Sequence, residues 1–215
     1  MTRPVRRRGG RWGPAGIAAA LALSGCLSGL VPAPPETPRY FRPDFLETEP
    51  AGTSGAAGVA GRAGLPLRLR EVRASGSLGE RIAWRASDVE VGFYEMLRWT
   101  DPPAALVEQA LAREFYERRG FQRAVSGQAP ALAVTVLAFE EVVAPAHEGR
   151  VALAVLLTES GRAVVDRVVV TRRPVPDHEA SSLARALGDA LAEAVEEIGA
   201  QVEEALHAAR AGPAP

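Results

Sequence analysis

The feature that most constrains this chain is an apolar stripe near its C-terminus. Leu183, Leu187, Leu191, Val195, Ile198, Val202 and Leu206 recur every three to four residues among polar ones. That is the period of one helix face. It predicts a single helix from about Asp177 to Arg210, capped by Asp177 after Pro174 and Pro176. Such a helix would be about 50 Å long, against roughly 20 Å for an ordinary strand. The stripe therefore needs a sheet to lie on. Its last turns are expected to overhang that sheet and to need a partner, either a second subunit or another protein.

The preceding segment supplies the sheet. Ala131–Val143 is rich in β-branched residues, Val151–Thr158 is almost wholly apolar, and Ala163–Arg172 runs back after the turn Glu159-Ser160-Gly161-Arg162. Short turns between strands argue for antiparallel pairing. The run Val151–Leu157 reads as a strand covered on both faces; if helices cover only one, the other face is a ligand or subunit contact. Earlier in the chain, Leu65–Val72 alternates apolar and polar residues, and Arg81–Arg85 and Glu90–Met96 flank the short turn Ala86-Ser87-Asp88, a hairpin pattern. Between these groups lies a second helix. Thr100 or Asp101 is placed to cap it, Pro102-Pro103 open it, and Leu106, Val107, Ala110, Leu111 and Phe115 form its buried stripe. Gly120 ends it after Arg118-Arg119. The expected fold is α+β: a mainly antiparallel sheet of five to six strands with two helices packed on it.

The first 64 residues do not carry this patterning. Five arginines (Arg3, Arg6, Arg7, Arg8 and Arg11) and no acidic residue precede the apolar run 17–23. That run is too short to span a bilayer and fits the apolar region of a signal peptide. Leu23-Ser24-Gly25-Cys26 then resembles a lipobox. The resemblance implies cleavage before Cys26, a diacyl group on its sulfur and a third chain on the new amino terminus. Two or more chains anchor a protein stably where one does not. The other reading of a lone cysteine, a small buried hydrophobe, fits poorly directly after a cleavable segment. The Arg7-Arg8 pair is a weak match to twin-arginine export, which favours the general route. Leu27 stands where an aspartate would favour inner-membrane retention, so the outer membrane is expected.

Residues 1–25 thus read as the leader and 26–64 as a lipidated cysteine with a tether. Within the tether, 31–38 is proline-rich and 53–64 is rich in glycine and alanine. Arg39–Leu46 either docks on the domain or forms a half-ordered linker. The domain is expected at 65–210, with 211–215 as a disordered tail.

Composition narrows the chemistry. All 25 basic residues are arginine, because the chain has no lysine. That excludes Walker-type phosphate binding and Schiff-base catalysis. Without the leader the balance is 20 basic against 26 acidic residues, a net charge of −6, which argues against nucleic acid. There is no G-x-S-x-G, H-E-x-x-H or C-x-x-C motif. His147, His178 and His207 lie far apart in sequence and read as solvated, as do the adjacent pairs Glu140-Glu141 and Glu196-Glu197. Ser126, Ser160 and Ser182 have no evident histidine partner. No catalytic, metal or cofactor site is expected, and the chain reads as a binding protein rather than an enzyme. The densest aromatic group is Trp84, Phe93, Tyr94 and Trp99 with Arg85 and Arg98. Trp84 and Trp99 are expected as core anchors. The functional alternative makes Trp84, Arg85, Tyr94, Arg98 and Trp99 a surface for a partner or an apolar ligand with an acidic headgroup.

The ordered set Arg81-Ile82-Ala83-Trp84-Arg85, Tyr94-Glu95, Arg98-Trp99, Pro102-Pro103 and Arg119–Val125, with the lipobox and the late Pro174-Val175-Pro176, resembles the auxiliary lipoprotein component of ABC-type transport systems. The resemblance covers about residues 65–209. It implies an accessory periplasmic subunit of an intermembrane lipid transporter of the mammalian-cell-entry type. Its implied partners are a substrate-binding protein, a permease and an ATPase on separate chains, and copies of itself in rings. The stretch after the cysteine lacks the clear early strand of that pattern. A structural or assembly lipoprotein of the outer membrane or cell wall is the competing reading, and a secreted hydrolase is a weak third.

Overall fold

The computed structural model describes residues 36–43 and 64–211, nearly all in a compact unit that begins at Thr37. The leader, the lipobox, Cys26 and the glycine/alanine segment up to residue 63 lie outside the described residues, as do 212–215.

Strand β7 (Ala131–Val142) is the spine of the sheet. One edge pairs antiparallel with β8 (Glu148–Glu159) along its whole length, from Ala131↔Thr158 to Val142↔Glu148. β8 in turn pairs with β9 (Arg162–Pro174). The other edge of β7 receives three short strands end to end, all parallel to it. β2 (Pro66–Leu69) sets Arg68 against Ala131, β3 (Arg73–Ala74) sets Arg73 against Thr135, and β4 (Arg81–Arg85) sets Ala83 against Glu140. β4 returns through the expected hairpin to β5 (Val91–Trp99). β1 (Arg39–Phe41) lies parallel to β5, and β6 (Gln122–Arg123) lies parallel to β2.

Among the described residues the fold is therefore α+β with two helices, but the sheet has nine strands and is mixed, where five to six mainly antiparallel strands were expected. The parallel partners of β7 are two to five residues long. Strands that short carry no period of their own and exist because β7 offers them a hydrogen-bonding edge. Arg39-Tyr40-Phe41 docks rather than remaining a linker. Phe41 pairs with Trp99 and its carbonyl accepts from the Thr100 N–H at 2.9 Å.

Helix α1 (Pro103–Ala112) buries Leu106, Val107 and Leu111. Pro102 stands at its N-cap and no side chain caps it; the Thr100 hydroxyl donates to Asp101 instead. The helix runs on as a π-helical turn, Arg113–Arg118, and stops at Gly120 with φ +71°, the left-handed stop expected there. Helix α2 (Ala180–Ala211) starts three residues later than the sequence implied. Asp177 accepts the Glu179 N–H at 2.9 Å, in the turn that leads into the helix.

All seven stripe residues of α2 are buried. The expected overhang is absent because β7, β8 and β9 are twelve to thirteen residues long, roughly twice the usual strand. At about 3.3 Å per residue they span some 40 Å, close to the length of the helix. The stripe is thus satisfied within the chain. Among the described residues no helix is long and apolar enough to cross a membrane.

The π turn is tied to α2 by buried charge. Glu114 is 3% exposed. Its carboxylate accepts from Arg119 Nε at 2.6 Å and from Arg118 at 2.8 Å, while Arg119 also reaches Glu203 at 2.7 Å and the Glu196 carbonyl at 3.3 Å. The Arg119 guanidinium lies flat on Gly199, where any Cβ would collide with it. Gly199→Ala should gain about 1 kcal/mol of helix propensity and lose more by dislodging Arg119 from Glu114. Chemical denaturation should show a net loss in the wild-type background and a gain in Arg119→Ala, where nothing is displaced.

Candidate functional site

β7, β8 and β9 have one covered face and one open face. Val134, Val136, Leu153, Val155, Leu157 and Val169 point toward the helices and are buried. The opposite face of the same strands carries Ala133, Thr135, Ala152 and Ala154 at its centre. Larger apolar residues surround them: Leu137 at 45% exposure, Leu156 at 37%, Val168 at 54% and Val170 at 47%. Leu137 follows Ala133 and Thr135 on this face by alternation, and the register shift between Val136 and Ala138 then brings Ala138 to the same side, opposite Ala152. A half-solvated sheet ordinarily alternates apolar with polar residues. Here both faces are apolar, which explains the nearly unbroken apolar run in β8. A contiguous exposed apolar surface of this kind marks a contact site.

One end of the open face is charged and rigid. Glu140 is 2% exposed and lies under two arginines, accepting from Arg85 Nε at 2.7 Å and from Arg150 at 3.2 Å. Hydrogen bonding to Glu140 raises the Arg85 pKa above its ordinary value. Arg172 adds a third guanidinium beside Arg150 and pairs weakly with Glu148 at 3.5 Å. Arg81 lies 4.8 Å over the ring of Phe93. Arginine suits this edge, since a guanidinium can cover a buried carboxylate and still present its other donors outward.

Glu141 turns to the helix-bearing face and is 6% exposed. It accepts from the Tyr94 hydroxyl and contacts His147 Nε2. His147 stacks on His178, centroids 4.9 Å apart, in the turn before α2. The expectation of solvated side chains is therefore corrected at Glu140, Glu141 and His147, whereas His178, His207, Glu196 and Glu197 are exposed. Adjacent residues do face opposite sides of the strand, as geometry requires. Yet each carboxylate is enclosed by partners from remote sequence: Arg85 for Glu140, Tyr94 for Glu141.

The five aromatic and arginine residues singled out by sequence do not form one surface. Trp99 is fully buried and meets Phe139 edge-on at 5.3 Å, the core role expected for it. Trp84 covers Gly92, where a Cβ would collide with the indole, and stays half-buried. Tyr94 is held by Glu141, Arg98 donates to the Tyr94 and Leu97 carbonyls at 3.2 Å, and Arg85 alone stands at the open face with Glu140. The exposed valines of β9 were not singled out, because an apolar strand does not reveal which of its faces a helix will cover.

Burial, followed by the hydrogen bond to Glu141 and its charge, pushes the Tyr94 pKa well above the ordinary value of 10. A raised value means that the folded state holds the proton more tightly. The resulting stability is complete below pH 10 and is lost as the pH rises toward the folded value. With no lysine in the chain, alkaline unfolding reads tyrosine with little interference. Tyr94→Phe should cost roughly 1.5–3 kcal/mol at pH 8 through the loss of a hydrogen bond to a carboxylate. It should also flatten the fall in Tm between about pH 10 and 11. A fall as steep as that of the wild type would show that Tyr94 does not carry it.

Among curated proteins, none matches the sequence. Solved structures do. A protein of Xanthomonas campestris superposes with a TM-score of 0.68 at 19% identity, over 80% of this chain and 98% of its own. A second, uncharacterised protein gives 0.62 at 15% identity, over 78% and 99%. At these identities the likeness is one of fold. A family model matches residues 46–199, which takes in most of the sheet, α1 and the greater part of α2. By that match, the chain belongs to the family of ABC-type transport auxiliary lipoprotein components.

Proposed function

We propose that the chain is a lipid-anchored periplasmic accessory subunit of a mammalian-cell-entry-type lipid transport system, acting by docking and binding rather than by catalysis. The observation that carries this reading is the open apolar face of β7, β8 and β9, a contact surface on a scaffold whose buried carboxylates are closed in by their partners. Tyr94, Glu141 and His147 satisfy one another. Ser182 is 3% exposed and accepts from Arg185 at 3.0 Å. Neither arrangement sets up a nucleophile with a base beside it.

In this reading the anchor is Cys26, on the outer membrane, and the open face meets partner subunits: another copy of this chain or a protein of the transporter. The permease and ATPase are separate chains. Family membership supports the transport assignment, and Cys26 in its lipobox setting supports the anchor.

Two experiments test the reading. Cys26→Ala should leave the domain folded and release it from membranes on fractionation; a variant that still sediments with membranes overturns the anchor. Val168→Glu with Leu156→Glu, both at exposed positions, should change stability little and abolish co-purification of transporter subunits. It should also abolish self-association in sedimentation. Unchanged co-purification and association would remove the open face from the function.

A further inference from the structure

At the outer edge of β2, a depression of about 450 Å³ lies between that strand, the π turn and the segment after β6. Arg68, Arg70 and Arg123 line it, together with Tyr116, Glu71 and Ala124. Three guanidiniums against one carboxylate give it a local charge of +2, in a chain whose residues after the leader are net acidic. In a second groove the arginines face acids. The groove between α1 and α2 sets Arg113, Arg118 and Arg173 among Glu114, Asp189, Glu193 and Glu196, and Arg173 pairs with Glu193 at 3.1 Å. Among the described residues no carboxylate lies within ion-pair distance of Arg68, Arg70 or Arg123.

The depression is also organised. The Tyr116 hydroxyl accepts from the Leu69 N–H at 3.1 Å and donates to the Leu67 carbonyl at 3.3 Å, which fixes its ring against β2. Arg123 lies 4.3 Å over that ring, a contact that restrains a long side chain and leaves its N–H edge free. Arg68 Nε is shielded from solvent and has no acceptor. A buried donor left unpaired costs about 1–3 kcal/mol, so Arg68 lacks the acceptor within the chain that would otherwise hold its guanidinium. The pleat turns Arg68 and Arg70 to the face of Ala131 and Arg123 to the face of Leu67, so guanidiniums flank the edge of β2 from both sides; a phosphoryl group there can accept paired N–H bonds from more than one arginine.

We infer that Arg68, Arg70 and Arg123 form a binding site for a phosphoryl group, whether inorganic phosphate, a phosphate ester or a phospholipid headgroup. Glu71 on the rim weighs against an extended acidic peptide. The site does not depend on the transport reading, since it rests on charge and geometry within this chain alone.

The test is calorimetric titration of the full chain in detergent with inorganic phosphate, and in parallel with monomeric dihexanoyl phosphatidic acid and its phosphate-free counterpart, dihexanoylglycerol. Saturable phosphate binding is expected, weakened at least tenfold in Arg68→Gln/Arg123→Gln and clearly weakened in Arg70→Gln. Arg70 is exposed, so its variant keeps the fold if the double variant does not. Arg162→Gln, at an exposed strand end remote in sequence from the site, should bind as the wild type does. If the phospholipid binds more tightly than phosphate and dihexanoylglycerol does not bind, the ligand is a headgroup; equal affinities point to free phosphate or a soluble ester. No saturable binding of either phosphorylated probe, binding that persists in Arg70→Gln and the double variant, or a polyglutamate peptide that phosphate fails to displace would overturn the site.

Discussion

The pairing of β7 along both edges is the constraint on which the rest of the molecule depends. One edge is taken by a single long antiparallel neighbour and the other by three short parallel strands in succession. Strands β2, β3, β4 and β8 all pair directly with this strand. The hairpin that follows it can be long because β7 is long, and α2 can be 32 residues because the hairpin gives it a floor of matching length. Shortening β7 would strand the end of α2 in water and remove the sites where β2 and β3 pair. Length here sets the dimensions of the whole layer.

With that spine in place, the charges fall into two kinds. Some are enclosed: Glu114, Glu140 and Glu141 each lie in the body of the protein with partners close by. Breaking one partner of such a set leaves a charge without compensation, which costs more than the intact pair contributes. These clusters add side-chain links between elements: Glu114, through Arg119, ties the π turn to α2, and Glu140 ties β4 and β8 to β7 beyond their backbone pairing. The other kind stands open, as on the two arginine-bearing surfaces. Rigid support behind an exposed guanidinium is what separates a recognition edge from an ordinary solvated side chain.

Long-period signals were readable directly from the amino acids. The seven-residue stripe of α2, the stop at Gly120, the hairpin around Ala86-Ser87-Asp88 and the antiparallel run of the last three strands are all local patterns, and all are present. β1, β3 and β6 were not readable, because two or three residues have no period and their pairing is decided by chain more than 45 residues away. Glu140 and Glu141 misled for the same reason. Their own neighbourhood shows two acids side by side, whereas their enclosure comes from Arg85 and Tyr94, 55 and 47 residues earlier. The apolar run of β8 was ambiguous in a different way: it fits cover on both faces or an exposed contact, and only the placement of the helices on one side decides. Tyr116 shows the limit most clearly. It reads as one more residue on a helix, and the π turn makes it the wall of an arginine-lined depression.

β9 ends the layer, and its outer edge has no neighbour among the described strands. Charged residues along it, among them Arg162, Asp166, Arg167 and Arg172, discourage indiscriminate strand addition. The main-chain amides and carbonyls on that rim are indifferent to the identity of whatever lies beside them. A segment aligning there would be selected by its backbone shape first and by side chains only at alternate positions.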